Sequence, residues 1–252
     1  MKLDNNIYIY KNNFISLINL IILLIKNKIK PLNIKDNFYN PSLLDNLIKL
    51  KIEEENINDL INFIGNKNFK IIYNVYLSNR ENKELIIYYY LLNAIKYREK
   101  TIYLRKLKCV SESLKIYNYV KRESHKFKGF TRFKELKNKV LYAEINPENN
   151  IILFLSIHFK ERLKNEYWVI KDVNRNILSL YNKKEFVIVS EEDTKLLDIE
   201  VNEKEQEICM LWKEFYKTIG IEQRKNDRCR MNFMPKKYWQ YIVEVSDEKN
   251  SM

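Results

Sequence analysis

Apolar residues in the first part of the chain recur mostly at the spacing of α-helices. Four helices are predicted there, at Phe14–Lys28, Glu54–Ile64, Lys67–Leu77 and Lys83–Tyr97. Within the first of them, Phe14–Ile25 is apolar enough for a buried helix but shorter than the ~20 residues that a membrane span requires. Gly65 follows the second helix, and glycine often stands just beyond a helix end.

Three short segments of this region need their own interpretation. Ile7–Tyr10, which reads I-Y-I-Y, is β-branched and aromatic and predicts a buried strand. Leu43–Leu50 predicts a short helix. The tyrosines of Tyr88–Tyr90 lie in a helix that is apolar on almost every side, so we interpret them as core residues rather than as a platform for stacked bases.

The helix predicted at Ser111–Lys126 carries apolar residues along one side. These recur at steps of three or four, apart from a gap at Ser124, and are Val110, Leu114, Tyr117, Val120 and Phe127. At about 100° per residue, the arc beside this stripe holds Lys121, Arg122, His125 and Lys126. Gly129 is predicted to end the helix. We therefore expect this helix to pack by one side and to present cations on another.

Beyond this helix the pattern changes to strands. They are predicted at Arg132–Glu135, Val140–Ile145, Tyr167–Lys171, Asn176–Tyr181 and Glu185–Val189. Turn residues between the last three predict an antiparallel meander, and a helix is predicted at Ile151–Leu163. A strongly amphipathic helix is predicted from Glu203, with Gly220 as its end.

Together these elements predict an α+β protein. We expect a mostly helical N-terminal half, and a C-terminal half with a small antiparallel sheet flanked by helices. Residues 1–110 are predicted to form the helical region, residues 111–245 an α+β domain, and residues 246–252 a frayed tail.

Charge changes this picture, because the chain carries a formal net charge of +12. A surplus of that size attracts polyanions, nucleic acid first among them. Lysine codons are rich in A and T, so the position of the charges is better evidence than their total. The first basic segment, Lys115–Lys139, has nine Lys or Arg against two acids, and the second basic segment, Arg224–Trp239, has six against one.

Both basic segments mix cations with aromatic residues, as phosphate contacts and base stacking require. The alternative is that the rings belong to the core and the charges form a solvated rim. Among the rings, Phe130, Phe133, Tyr238 and Trp239 are candidates to support an unstacked base. The candidate nucleic-acid-binding residues are Lys121, Arg122, His125, Lys126, Lys128, Arg132, Arg162, Arg175, Arg224, Asn226, Arg228, Arg230, Lys236, Lys237, Tyr238 and Trp239.

Other chemistry has little support in the residues. The three cysteines Cys109, Cys209 and Cys229 have no metal-site spacing, and the chain has only two histidines, so we predict no metal and no cofactor. We expect free, mostly buried thiols in a reducing compartment, the cytoplasm. No common catalytic motif occurs, and three glycines leave little scope for a phosphate-binding loop.

Proton transfer has three weak candidates: His125, His158 and Asp172. Both histidines lie among cations and lack an evident carboxylate that would orient them. Phosphate contact or helix-end packing therefore explains them better than catalysis. Asp172 lies in a predicted turn, where capping of the backbone is the simpler explanation.

Six motifs give the chain a resemblance to a known family. In order they are E-S-H-K-F-K-G-F-T-R-F-K-E (Glu123–Glu135), H-F-K-E-R (His158–Arg162), W-V-I-K-D-V-N-R (Trp168–Arg175), L-W-K-E-F-Y (Leu211–Tyr216), R-K-N (Arg224–Asn226) and M-P-K-K-Y-W (Met234–Trp239). Over about residues 115–243 the chain resembles a bacterial family of DNA-metabolism and DNA-repair proteins encoded beside a radical SAM protein. A related domain occurs fused to uracil-DNA glycosylases, but no glycosylase segment is present here.

The resemblance implies a DNA-binding component of a repair or modification system, with a radical SAM partner that carries the iron–sulfur cluster. Two alternatives stay open: a nucleic-acid-processing enzyme that uses His125 or His158, and an interaction scaffold for that partner. The residues do not distinguish DNA from RNA.

Overall fold

The computed structural model describes residues 2–3, 6–51, 56–193, 200–219, 221 and 226–245. The chain divides into two compact units, Met1–Lys121 and Arg122–Met252. The division falls inside a helix, eleven residues beyond the boundary predicted after residue 110. The α+β class predicted from the sequence is confirmed.

The first unit contains parallel β-structure that the sequence pattern did not predict. Its strands are β1 (Lys2–Leu3), β2 (Ile7–Tyr10), β3 (Ile29–Lys30), β4 (Asn33–Asp36) and β5 (Leu47–Ile48). Strand β2 lies between β4 and β5 in a parallel sheet, and β1 pairs with β3. The helix predicted near Leu43–Leu50 is therefore wrong, because this segment pairs its backbone with the open edge of β2.

The helices of the first unit follow the predicted pattern closely. They are α1 (Phe14–Lys26), α2 (Ile57–Ile64), α3 (Asn66–Leu77), α4 (Lys83–Tyr97), a 3₁₀-helix (Arg98–Tyr103) and the beginning of α5 (Lys108–Phe130). Helix α1 is buried along its length, as its apolar run predicts. Tyr88 and Tyr90 are buried with paired hydroxyls, which confirms their place in the core. No helix in the described part of the chain is both long and apolar enough to cross a membrane.

Gly65 separates α2 from α3 and has a positive φ of 86°. That conformation suits glycine, which has no Cβ to clash with its own backbone. A Cβ at this position would also lie 2.7 Å from the Cγ atom of Glu99. Both constraints explain why this short link between two helices is a glycine.

Helix α5 continues past the end that Gly129 was predicted to mark. It runs to Phe130, and Gly129 lies in its last turn with open space around it. The terminal carbonyl groups find other donors: Thr131 Oγ1 donates to Phe127 O at 2.7 Å, and the Arg132 guanidinium donates to Gly129 O. The helix end is therefore capped by side chains that follow it.

The second unit is built on one five-stranded sheet. Its strands are β6 (Lys134–Glu135), β7 (Leu141–Ile145), β8 (Trp168–Asp172), β9 (Ile177–Tyr181) and β10 (Phe186–Ser190), adjacent in that order. The predicted antiparallel meander is confirmed for β8, β9 and β10. The sheet as a whole is mixed, because α6 (Ile152–Arg162) returns the chain so that β8 runs parallel to β7.

Two helices and three 3₁₀-helices complete the described part of the second unit. They are α7 (Glu203–Thr218), α8 (Asp227–Phe233) and the 3₁₀-helices Glu191–Asp193, Lys236–Tyr241 and Val243–Val245. Helix α7 was predicted and α8 was not. The apolar stripe of α7 is largely exposed, with Leu211 at 70% and Phe215 at 51% of full exposure. Gly220, the predicted end of this helix, lies outside the described residues.

Candidate functional site

The two basic segments meet in the second unit. Tyr238 donates its hydroxyl to Glu123 Oε1 at 2.9 Å, and its ring packs edge-on against Phe127 at 4.9 Å. Lys126 Nζ donates to the carbonyl of Asn232 in α8 at 3.3 Å. Segments more than a hundred positions apart in the sequence therefore form one continuous region.

We define the basic surface by seven exposed or half-buried basic residues of this region. They come from α5, the end of α6, α8 and the following 3₁₀-helix, and are Arg122, His125, Lys126, Lys128, Arg162, Arg228 and Lys236. Lys128 and Arg162 lie close enough to His158 to lower its pKa, which places the end of α6 beside α5. Lys121, the last residue of the first unit, is exposed one position before Arg122.

Two aromatic rings of the second segment, Tyr238 and Trp239, support cations and leave no open face for a base. Tyr238 is 5% exposed and Trp239 is 1% exposed. Trp239 donates its indole N–H to Met234 O at 2.8 Å. The Arg230 guanidinium and Lys236 ammonium lie over the Trp239 ring at 4.7 and 5.7 Å from its centre. These two rings therefore belong to the core beneath the charges. This is the alternative interpretation given above, in which the rings are core and the charges form a rim.

Glu123 is the buried acceptor that joins the region. Its carboxylate accepts hydrogen bonds from the backbone N–H groups of Glu148 and Asn149 at 2.8 and 2.9 Å, and from Tyr238. The Asn149 side chain donates to it as well. Sequence reasoning missed this role, although one signal was visible: Glu123 falls between Val120 and Phe127 on the buried side of α5.

Asp172 and Arg175 form a second buried clamp on the same turn, residues 146–150. Asp172, whose side chain is fully buried, accepts from Arg175 at 2.9 Å and from the backbone N–H of Asn174 at 3.1 Å. Arg175 also donates to the carbonyl groups of Pro147 and Glu148. Burial raises the pKa of Asp172, and Arg175 opposes that shift. Asp172 and Arg175 of the motif W-V-I-K-D-V-N-R therefore stabilise the fold. Asp172 caps the backbone of its own turn, the simpler of the two explanations given for it from the sequence.

Several candidate cations are already paired with acids. Arg132 makes a two-pronged contact with Glu244, with a shortest distance of 2.6 Å. The other pairs are Arg175 with Asp172, Arg230 with Asp227, and Lys237 with Glu148. In the described part of the chain, no such acid partner is found for Lys121, Lys126, Lys128, Arg162 or Arg228. These five residues are the better candidates for contacts with a polyanion.

Two candidates at the start of the second segment need separate mention. Arg224 lies outside the described residues. Asn226 caps α8, since its side-chain oxygen accepts from the backbone N–H of Cys229 at 2.9 Å. This contact gives Asn226 a role in the fold, whether or not it also contacts a nucleic acid.

The two histidines have different surroundings. His125 is exposed on α5. His158 lies on α6 against the Phe159 ring, and its Nε2 atom is buried without a hydrogen-bond partner among the described residues. Burial lowers the pKa of His158 first, with Lys128 and Arg162 adding to the shift and Glu161 opposing it. The lowered pKa favours the neutral form of His158, and among the described residues its Nε2 atom has no hydrogen-bond partner that would orient it for acid–base work.

This lowered pKa predicts a loss of stability in mild acid. As the pH falls below the ordinary histidine pKa, the unfolded chain binds a proton that the folded chain does not, so the free energy of unfolding decreases. We expect the decrease between about pH 7 and about pH 5 to be smaller in His158→Phe. Urea unfolding across that range measures it, with His125→Phe as the control. Equal pH slopes for His158→Phe and the unchanged protein would contradict the prediction.

A cavity of about 440 Å³ lies in the second unit. Tyr142, on its wall, donates its hydroxyl to Glu144 at 2.9 Å, and burial raises the pKa of Tyr142 above its ordinary range. Arg132, also on the wall, is held by Glu244. These three wall residues, Tyr142, Glu144 and Arg132, are therefore engaged in contacts within the fold.

Cysteines and metal ligands give no site either. All three thiols are free, and Cys229 is exposed rather than buried. Among the described residues no group of three or more His, Cys, Asp or Glu side chains could hold a metal ion.

Fold and site thus define an α+β protein whose second unit gathers cations from several helices into one surface. The chain belongs to the family described as a domain of unknown function, DUF4130, whose model matches residues 81–244, or 164 of 252 residues. That match begins just before α4, earlier than the motif region near residue 115, and ends within the last 3₁₀-helix. Comparisons with curated proteins and with solved structures give no match.

Proposed function

We propose that the chain is a DNA-binding component of a repair or modification system in the cytoplasm, and that its basic surface contacts the sugar–phosphate backbone. The observation that carries this proposal is the joining of the two basic segments through Tyr238 and Lys126. Contact between them turns two local surpluses of charge into one extended cationic region, the electrostatic feature that nucleic-acid binding needs.

The distribution of acids supports the proposal. Glu123 is buried under the surface, while Asp227 and Glu148 are each held by a cation of the second segment. The cations without such partners lie at helix ends and on exposed helix faces, where a phosphate can approach. Because Tyr238 and Trp239 are buried, we expect neither ring to stack on a base, and we expect phosphate contacts to supply most of the affinity.

We propose further that the system includes a radical SAM protein carrying an iron–sulfur cluster. This part rests on the motif resemblance alone. Co-expression of the chain with such a protein encoded beside it, followed by affinity purification, tests it directly. Recovery of a stable complex would support the partnership, and separation of the two proteins at every salt concentration would contradict it.

Removal of two cations of the basic surface is expected to weaken DNA binding. For the double variant Lys128→Ala, Arg162→Ala we expect roughly tenfold lower affinity for duplex DNA at low salt, and a slope of log affinity against log salt that is shallower by about 2. The reason is the loss of two phosphate contacts. Fluorescence anisotropy with a labelled duplex measures both quantities, and a matched RNA duplex shows which nucleic acid is preferred.

A matched control is available on the same unit. Lys183 and Lys184 are exposed lysines in the turn that follows β9, outside both basic segments, and their double alanine variant should bind DNA as the unchanged protein does. Equal losses in both double variants would show attraction to net charge only. No binding of DNA or RNA by the unchanged protein at low salt would overturn the proposal.

A further inference from the structure

The first unit contains a second cationic feature, formed by residues that do not belong to the basic surface. A pocket of about 480 Å³ is lined by the side chains of Arg80, Arg105, Lys106, Lys108, Lys115 and Glu112, among others. Five cations thus face one carboxylate, an excess of four positive charges. In the part of the chain that the structure describes, none of the five cations has an acid partner within ion-pair distance.

Three elements of the fold bring these cations together. Arg80 lies in the link between α3 and α4, and Arg105 and Lys106 lie in the turn that leads into α5. Backbone hydrogen bonds hold that turn, from Arg105 N to Tyr103 O at 2.9 Å and from Leu107 N to Leu104 O at 3.0 Å. Lys108 and Lys115 follow on α5, seven positions apart and so on one face of the helix.

The pocket has the donors that phosphate groups require. Two guanidinium groups can each offer a fork of N–H donors to phosphate oxygens, and the lysines add compact charges. Ser111, on the same face of α5, adds a hydroxyl, while the buried Ile116 provides an apolar patch of wall. The positive end of the α5 dipole lies at the same place and favours an anion further. The volume of the pocket lies within the range of small-molecule sites.

We propose that this pocket binds a small ligand that carries adjacent phosphate groups, as a nucleoside diphosphate or triphosphate does. Charge decides between one phosphate and several. A single phosphate group carries about −2, which neutralises only half of the excess in the pocket. Adjacent phosphates match the excess more closely and allow cations from all three elements to take part.

The test uses the full-length chain and inorganic pyrophosphate as the probe, with titration calorimetry as the readout. We expect pyrophosphate to bind, inorganic phosphate to bind more weakly, and the double variant Arg105→Ala, Lys106→Ala to bind pyrophosphate at least tenfold more weakly. The double variant Lys183→Ala, Lys184→Ala should bind pyrophosphate normally. Both pairs are exposed, so their thermal unfolding should stay unchanged and confirm that the fold is kept.

A DNA arm separates the two sources of phosphate. If pyrophosphate binding falls in the Arg105→Ala, Lys106→Ala variant and duplex affinity does not, the pocket serves a small ligand, as proposed. If duplex affinity falls as well, or if the unchanged chain does not bind pyrophosphate, the proposal is overturned. Lys128→Ala, Arg162→Ala should leave pyrophosphate binding intact, so failure of this inference can be told from failure of the proposed DNA-binding function.

Discussion

Replacing Arg175 by alanine should lower the free energy of unfolding by about 3–5 kcal/mol. The change leaves Asp172, whose side chain is fully buried, without its counter-charge at 2.9 Å. It also removes the guanidinium donors to the carbonyl groups of Pro147 and Glu148. Because an unpaired buried charge is among the most costly defects in a folded protein, this is the largest effect that we expect from a single substitution.

Urea unfolding at neutral pH measures the loss, and a second substitution isolates its cause. In Asp172→Asn, Arg175→Ala the buried charge is gone, so part of the stability should return. The deficit of Arg175→Ala should also shrink as the pH falls towards about 4, because the carboxyl group then becomes protonated in the folded and the unfolded chain. A loss below about 1 kcal/mol, typical of a surface substitution, would contradict the buried clamp.

Replacing Glu123 by alanine should lower the free energy of unfolding by about 3 kcal/mol. Four donors would lose their acceptor: the backbone N–H groups of Glu148 and Asn149, the Asn149 side chain and the Tyr238 hydroxyl. Glu123→Gln should also destabilise the chain, because the amide that replaces one oxygen is a donor facing donors. Glu161→Ala, an exposed acid on α6, provides the control with little expected change.

The same Glu123 substitution connects stability with the proposed function. Tyr238 donates a hydrogen bond to Glu123, so loss of the Glu123 carboxylate should loosen the second basic segment from α5. Duplex binding should then weaken, although the net charge of the chain becomes more positive. A model based on net charge alone predicts tighter binding. Anisotropy measurements on Glu123→Ala at a temperature where it stays folded therefore decide between the two. Tighter binding would show that the joining of the segments is not needed.

The helices show how far sequence pattern reaches. Lys83–Tyr97 is predicted to its observed bounds, because an apolar segment of that length is too long for a typical strand and indicates a buried helix. The parallel sheet of the first unit was missed, since β4 is four residues long with Ile34 alone fully buried, and β5 has only two residues. Such strands exist by pairing their backbones with β2, and backbone pairing leaves no periodic signal.

The candidate site likewise has features that the sequence predicts and features that only the structure shows. Its cations could be listed from the sequence, and the alternative that Tyr238 and Trp239 belong to the core could be stated but not decided. Nor could pairing be predicted, because the partners are distant: Glu244 lies 112 positions from Arg132. Sequence spacing predicts side-chain contacts only between residues of the same turn or helix. Contacts between distant segments can be seen only in the folded chain.

By itself, then, the sequence determined the class of fold, most helices, the antiparallel meander and the two concentrations of positive charge. These depend on local periodicity and on composition, which any stretch of chain carries with it. Only the tertiary structure decided that the two basic segments join through Glu123 and Tyr238, that Arg132 and Arg175 hold the fold, and that five cations of the first unit share a pocket. Burial and charge pairing decide these points, and both are properties of neighbours in space.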